Sequence, residues 1–325
     1  MAVSYAYAVG NVRAKEGNLL RKQDIEQLLA MKTVGAALSY VRDKGFADAD
    51  TPLSAADILK AEEQKLWEYV ASISPDYSVF RPFIINNDCQ NMKAVLKSAA
   101  VGRDFRELVV SPVTIPVSEI EKAVQTKDFS ALPEFIKESA KAAYDALIGM
   151  GDPQLCDALL DAAFMKEKLS LCADVKIPML TDLVKTTVFY ANFKAAIRCA
   201  RAGKSVAFME KCLIDTETVS AKRLISAAAK GTEELLTVLE GASRYSGKAA
   251  AEAFRESPCE FEKFVDNLLM KTVMKAKYVA VGAEPLIAYL QAKLAEIQAV
   301  RIVINGIATG ETSENTREML RELYG

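Results

Sequence analysis

The stretch NMKAVLKSAAVG at residues 91–102 returns as NFKAAIRCARAG at 192–203 and, more loosely, as AVRIVINGIATG at 299–310. Place Lys93, Lys194 and Arg301 in register and take the residues one before and two, three and six after each. These are Met92, Val95, Leu96 and Ala99; then Phe193, Ala196, Ile197 and Ala200; then Val300, Val303, Ile304 and Ile307. Spacings of three and four put each set on one face of an α-helix, because 3.6 residues per turn brings those positions back to the same side. The registered residue and the one four later (Lys93 and Lys97, Lys194 and Arg198, Arg301 and Asn305) form a flanking polar stripe that is basic in five of six places. Nine residues after each registered cation stands a glycine, at Gly102, Gly203 and Gly310. A helix that stops through a left-handed residue favours glycine there, since no Cβ meets the backbone. The chain therefore carries one helix, with its stop, three times.

Other segments repeat at a compatible distance. PQLCDALLDAAFMK at 153–166 matches PCEFEKFVDNLLMK at 258–271 with an offset of 105, pairing Pro153 with Pro258, Asp161 with Asp266, Met165 with Met270 and Lys166 with Lys271. Upstream of the three copies, residues 24–41, 118–136 and 220–239 each read as a helix, a small-residue turn and a second helix. Three homologous units near 1–112, 113–215 and 216–325 account for the whole chain. Their period far exceeds the roughly 33 to 47 residues of ankyrin, tetratricopeptide or HEAT repeats, so each unit is domain-sized. Three such units closed about an axis would turn equivalent helices toward a common centre and make a socket.

Helical punctuation runs through the rest of the sequence. Ser118 and Glu121 stand at capping-box spacing, and Ser257 is an N-cap candidate with Pro258 at the first helical position and Glu260 at the third. Ser74 and Asp152, each before a proline, read as the same kind of opening. LVVSPVTIPV at 108–117 is the nearest approach to a strand, but Pro112 and Pro116 argue for an extended connection. The fold class expected is all-α.

Composition narrows the function. Apolar residues make up 51% and charged residues 26% of 325, the balance of a folded chain rather than a disordered one. Lys plus Arg total 41 against 43 for Asp plus Glu, so no global field draws the protein to nucleic acid. No stretch approaches the roughly 18 apolar residues of a membrane span, and MAVSYAYAVGNVRAKE does not read as a signal peptide. Six cysteines without a C-x-x-C pair read as reduced thiols used as small apolar side chains. Histidine is absent altogether, which removes His-based zinc sites and the Ser-His and Cys-His nucleophiles. No catalytic residue, cofactor or metal site is expected.

The remaining motifs are weak. ARAGKS at 200–205 ends like a phosphate-binding loop, but Arg198 stands where that loop needs its first glycine, and the segment closes a helix. DADTPLSAADIL at 48–59 begins like a calcium loop, yet Leu53 and Leu59 replace the required Gly and Glu. Asp157 and Asp161 share a helix face and read as surface charge beside lysines. Asn91 and Asn192, two before each lysine, read as hydrogen-bonding residues that bridge adjacent helices. The basic stripes admit two readings. Lys93, Lys97, Lys194, Arg198 and Arg301 either face one central space and hold an acidic or carbonyl-rich partner segment, or pair with carboxylates of neighbouring helices.

The threefold NMKAVLK, NFKAAIR and AVRIVIN, the LLDAAFMKEKL and FVDNLLMKTVM segments, the opening YAYAVGNVRAKEGNLL and the closing RIVINGIATG…TREMLRELYG together resemble the C subunits of V/A-type ATPases (V-type ATP synthases), the counterparts of the eukaryotic V-ATPase d subunit. The resemblance covers essentially the full length. It implies a funnel of three similar helical subdomains about a pseudo-threefold axis, with a central cavity. It also implies a non-catalytic rotor component, one copy per complex, between the soluble central shaft and the membrane proteolipid ring. Such a protein is cytoplasmic and held at the membrane only through the complex. The alternatives are a free-standing helical scaffold or adaptor and, second, an all-α small-molecule enzyme using a buried lysine or carboxylates. Ala299, standing where the other copies have Asn, and the LRELYG ending depart from the repeat.

Overall fold

Each copy of the repeated stretch forms the C-terminal half of a long helix that opens near a proline and stops at a left-handed glycine. The computed structural model describes residues 4–173 and 175–325, and the first three residues of the opening segment lie outside them. Among the described residues there are sixteen α-helices and no strand. They are α1 (Tyr5–Glu16), α2 (Lys22–Leu29), α3 (Val34–Asp43), α4 (Ala55–Ile73), α5 (Arg81–Val101), α6 (Val117–Thr126), α7 (Glu134–Tyr144) and α8 (Pro153–Ala173), followed by α9 (Pro178–Arg201), α10 (Val206–Cys212), α11 (Ala221–Lys230), α12 (Thr232–Glu240), α13 (Gly247–Glu256), α14 (Pro258–Met274), α15 (Glu284–Thr309) and α16 (Ser313–Glu318). The all-α expectation holds.

The repeat is visible residue by residue. Gly102, Gly203 and Gly310 have φ of 65°, 60° and 73°, the left-handed stop that their spacing predicts. Met92, Val95 and Leu96 are buried, as are Phe193, Ala196 and Ile197, and Val300, Val303 and Ile304, but the fourth residue of each set is not: Ala99 is exposed and Ala200 and Ile307 are half-buried, because the last turn of each helix runs out past the core. Lys97, Arg198 and Arg301 are exposed on the flanking face, while Lys93 and Lys194 are half-buried.

The chain divides into two compact units, each drawn from separate segments. One holds the described residues through Val79, Ile177–Leu183 and Ala253–Gly325; the other holds the described residues of Phe80–Lys176 and Val184–Glu252.

In the first unit, α15 is the axis on which α1, α2, α3, α4, α14 and α16 pack. A buried ion triad joins them: Lys293 Nζ lies 2.9 Å from Glu62 Oε1 and 3.0 Å from Glu296 Oε2. The remaining carboxylate oxygens accept backbone amides, Glu62 from Ala47 and Glu296 from Leu20. A single partner lost here would leave a charge without water or counter-ion, so the group holds together only as a set. The C-terminal segment is fastened to the same unit. Arg321 pairs with Asp266 at 3.0 Å, the Glu322 amide donates to Asn267, and the buried Tyr324 donates to Glu16 while its carbonyl accepts from Lys277. Asp266, the repeat partner of Asp161, thus takes its cation from the LRELYG ending.

The second unit is built on α5, α6, α7 and α8, whose buried faces share a core around Met92, Leu96, Ile120, Ile136 and Leu160. The extended segment 108–117 is held against α5 by side chains. Asn91 donates to Val110 O and accepts from Val110 N, and Asp88 accepts from the amides of Thr114 and Ile115. Asn192 likewise donates to Ile214 O and accepts from Ile214 N. The expected role of these asparagines is thereby corrected: they hydrogen-bond extended connections, not neighbouring helices, because only free backbone offers a donor and an acceptor on one residue.

Two helix openings also differ from the sequence reading. α6 starts at Val117 with Pro116 as its cap residue, so Ser118 is already helical and makes no capping box. Ser74 closes α4 rather than opening a helix. Ser257 and Asp152 do cap, accepting from the amides of Glu260 and Leu155 at 3.0 and 2.9 Å.

Candidate functional site

The polar stripes of α5 and α9 open, within the second unit, onto a cleft of about 690 Å³ whose other walls come from α8 and α10. Lys93 enters from α5, Lys168 from α8, Lys194 and Arg198 from α9, and Lys204 from the turn before α10. Asp157 and Asp161 of α8 are the only carboxylates among the described lining residues, so the cleft carries a formal surplus of three positive charges. Such an arrangement, with apolar Phe164, Met165 and Phe208 between the cations, suits an acidic or carbonyl-rich segment more than a neutral one.

Helical spacing aims each of these side chains. Asp157, Asp161 and Lys168 recur on α8 at intervals close to whole turns and so share a face, as do Lys194 and Arg198 on α9. Lys93 forms an ion pair with Asp161, and Lys97 reaches Asp157 Oδ2 at 2.8 Å. Burial works against the charge on Lys93, but Cys89 and Asp161 beside it outweigh that and hold its pKa above the ordinary lysine value. Lys168 is different. No carboxylate pairs with it among the described residues, and desolvation pushes its pKa down to about 8. Its side chain is half-buried in the wall of the cleft.

Of the five cations singled out in the sequence, the structure brings Lys93, Lys194 and Arg198 to this one cleft. Lys97 is spent on Asp157 at its rim, and Arg301 stands exposed on α15 in the first unit. Sequence reasoning missed Lys168, although its place on the Asp157–Asp161 face was a usable signal. Lys204, read as part of a capped helix end, lies over the Phe208 ring at 4.8 Å, and Ser205 beside it caps α10. The Gly203-Lys204-Ser205 stretch is thus a helix stop followed by a helix start.

Among the described residues no helix is long and apolar enough to cross a membrane, and no group of three Cys, Asp or Glu side chains is placed to hold a metal ion.

Known proteins match this chain along nearly its whole length. The C subunit of the V-type sodium ATPase of Enterococcus hirae is 21% identical over 96% of this chain and 97% of its own length. The C subunit of the A-type ATP synthase of Methanothermobacter thermautotrophicus is 23% identical over 92% and 83%. The C subunit of a V-type ATP synthase of Thermus thermophilus is 23% identical over 93% of both chains. The profile of the ATP synthase (C/AC39) subunit family matches residues 8–319. With all but the two ends of the chain inside that match, the protein belongs to the ATP synthase (C/AC39) subunit family.

Proposed function

We propose that this protein is the non-catalytic central-stalk component of a V/A-type rotary ATPase. It receives the end of the soluble shaft and rests on the membrane proteolipid ring, so that rotation passes between ATP turnover and ion transport. The observation that carries this reading is the family match over residues 8–319. The relatives are each named as the C subunit of a V-type or A-type ATPase or ATP synthase, and they extend over nearly the same length.

The chain's own chemistry supports it. A torque coupler needs stiffness, and this chain has long helices and clamps such as Asn91, Asn192 and the Lys293 triad, which tie loop backbone to helices. The surplus positive cleft of α5, α8, α9 and α10 is the candidate grip for an acidic helix end of the shaft. Three homologous units near 1–112, 113–215 and 216–325 about a shared cavity, with one copy per rotor at the cytoplasmic side of the membrane, complete the proposal.

The test is binding of the purified chain to the recombinant shaft proteins and, separately, to detergent-solubilised ring, each followed by size-exclusion chromatography. Stable one-to-one association with the shaft is the expected result. An ordered chain that binds neither partner overturns the reading.

A further inference from the structure

Cys199 and Cys212 place their sulfurs 3.7 Å apart in the second unit. Cys199 lies in the last turns of α9, Cys212 ends α10, and the left-handed stop at Gly203 turns the chain between them. Both side chains are buried, at 5% and 4% exposure, yet both belong to the wall of the basic cleft. Neither observation follows from rotor function, and nothing in that role calls for a dithiol.

From this geometry we infer that Cys199 and Cys212 form a thiol–disulfide exchange site for small disulfides entering through the cleft, with Cys199 the attacking sulfur and Cys212 the resolving one. The 3.7 Å separation is longer than the about 2.05 Å of a covalent S–S bond, so the two sulfurs must move together for the bond to form. The hydrogen bond between the two sulfurs lowers the Cys199 pKa against its burial, and the nearby Arg198 and Lys204 charges act in the same direction, while the Cys212 S–H also reaches Met209 O at 3.5 Å. Burial instead pushes Cys89 up to about 12 and Cys156 and Cys172 up to about 11. The thiolate is the nucleophile, so the cleft pair is chemically distinct from the other interior thiols.

The Cys199 thiolate attacks one sulfur of a disulfide RSSR, breaking the S–S bond and releasing RS⁻, which takes up the proton that Cys199 gave up. The Cys212 thiol, losing its proton, then attacks Cys199 Sγ and expels the second RS⁻, which takes up that proton. Two protein thiols become one disulfide, and RSSR becomes two RSH. The new bond ties the end of α10 to the turn of α9 that carries Arg198, so it sits directly in the cleft wall.

The probe is Ellman's reagent, a dianionic aromatic disulfide suited to the cationic cleft, applied to the folded full chain with exposed Cys259 replaced (Cys259→Ser). Two equivalents of thionitrobenzoate should be released, the chain should lose the mass of two hydrogens with no adduct retained, and peptide mapping should join Cys199 to Cys212. In Cys212→Ser one equivalent should be released and one adduct retained on Cys199. In Cys199→Ser neither should occur. An adduct persisting on Cys199 in the parent chain overturns the inference, as does reaction of all the buried thiols together, which is the mark of global unfolding. Absence of release from the folded chain overturns it equally. None of these outcomes depends on the shaft or ring, so the result stands apart from the rotor assignment.

Discussion

Glu296 is a buried carboxyl whose pKa is pushed up to about 7 by desolvation, against the opposing pull of Lys293 and of the Leu20 amide. Because the folded value lies above the 4.5 of an unhindered glutamate, the folded chain holds this proton more tightly than the unfolded chain does. The group's contribution to stability is therefore fully present below about pH 4.5 and is lost as pH rises through about 7. At about 1.4 kcal/mol per pKa unit, the loss is on the order of 3 kcal/mol. Glu296→Gln keeps an acceptor for the Leu20 amide and removes the titration. Urea unfolding of both proteins from pH 5 to 8 should show a wild-type slope that the variant lacks, beyond a constant cost for the altered triad. Parallel slopes would place the titration elsewhere. None of this was legible in the sequence. Lys293 and Glu296 are ordinary helix residues there, and Glu62, more than 200 residues away, gives no sign that it faces them.

At the scale of the helix, α15 contains two glycines with unlike reasons. Gly310 was readable from spacing alone, nine residues after Arg301, because a left-handed stop is a local backbone requirement. Gly306 was not. It is buried inside the helix, and a Cβ there would run into the Thr316 side chain of α16, a contact that only the folded unit creates. Gly310→Ala should cost about 1 kcal/mol through its left-handed backbone. Gly306→Ala, which forces α16 away from α15, should cost about 1–3 kcal/mol. Thermal or urea unfolding ranks the two, and a Gly306→Ala cost below that of Gly310→Ala would show that α16 gives way freely. The same distinction separates the openings that were read correctly from those that were not. Ser257 and Asp152 cap through their own side chains, a local event. At α6 the chain enters the helix from the clamped 108–117 segment, so the start is set at Pro116 by what holds that segment and not by Ser118.

Over the whole molecule, the sequence showed that five cations repeat on equivalent helix positions, but not which of them a neighbour already neutralises. That depends on α8, whose aspartates face Lys93 and Lys97. The structure consequently splits the stripe into parts with different expected behaviour. Lys93→Glu sets a carboxylate against Asp161 in a half-buried place and should lower the unfolding free energy, with any binding defect secondary to that. Arg198 is exposed on the cleft wall, so Arg198→Glu should leave stability within about 0.5 kcal/mol of the parent. If the cleft grips an acidic segment, that reversal together with Lys204→Glu should weaken shaft binding at least tenfold at low salt and less at high salt, where surface charges are screened. Arg301→Glu tests the threefold reading separately. A loss comparable to that of Arg198→Glu would mean that equivalent positions face one partner, whereas unchanged binding would confine the grip to the α5–α8–α9–α10 cleft. Titrations of each variant against the shaft proteins, with unfolding curves alongside, decide among these. Full-strength binding by the doubly reversed protein would remove the cleft from the coupling mechanism while leaving membership of the family untouched.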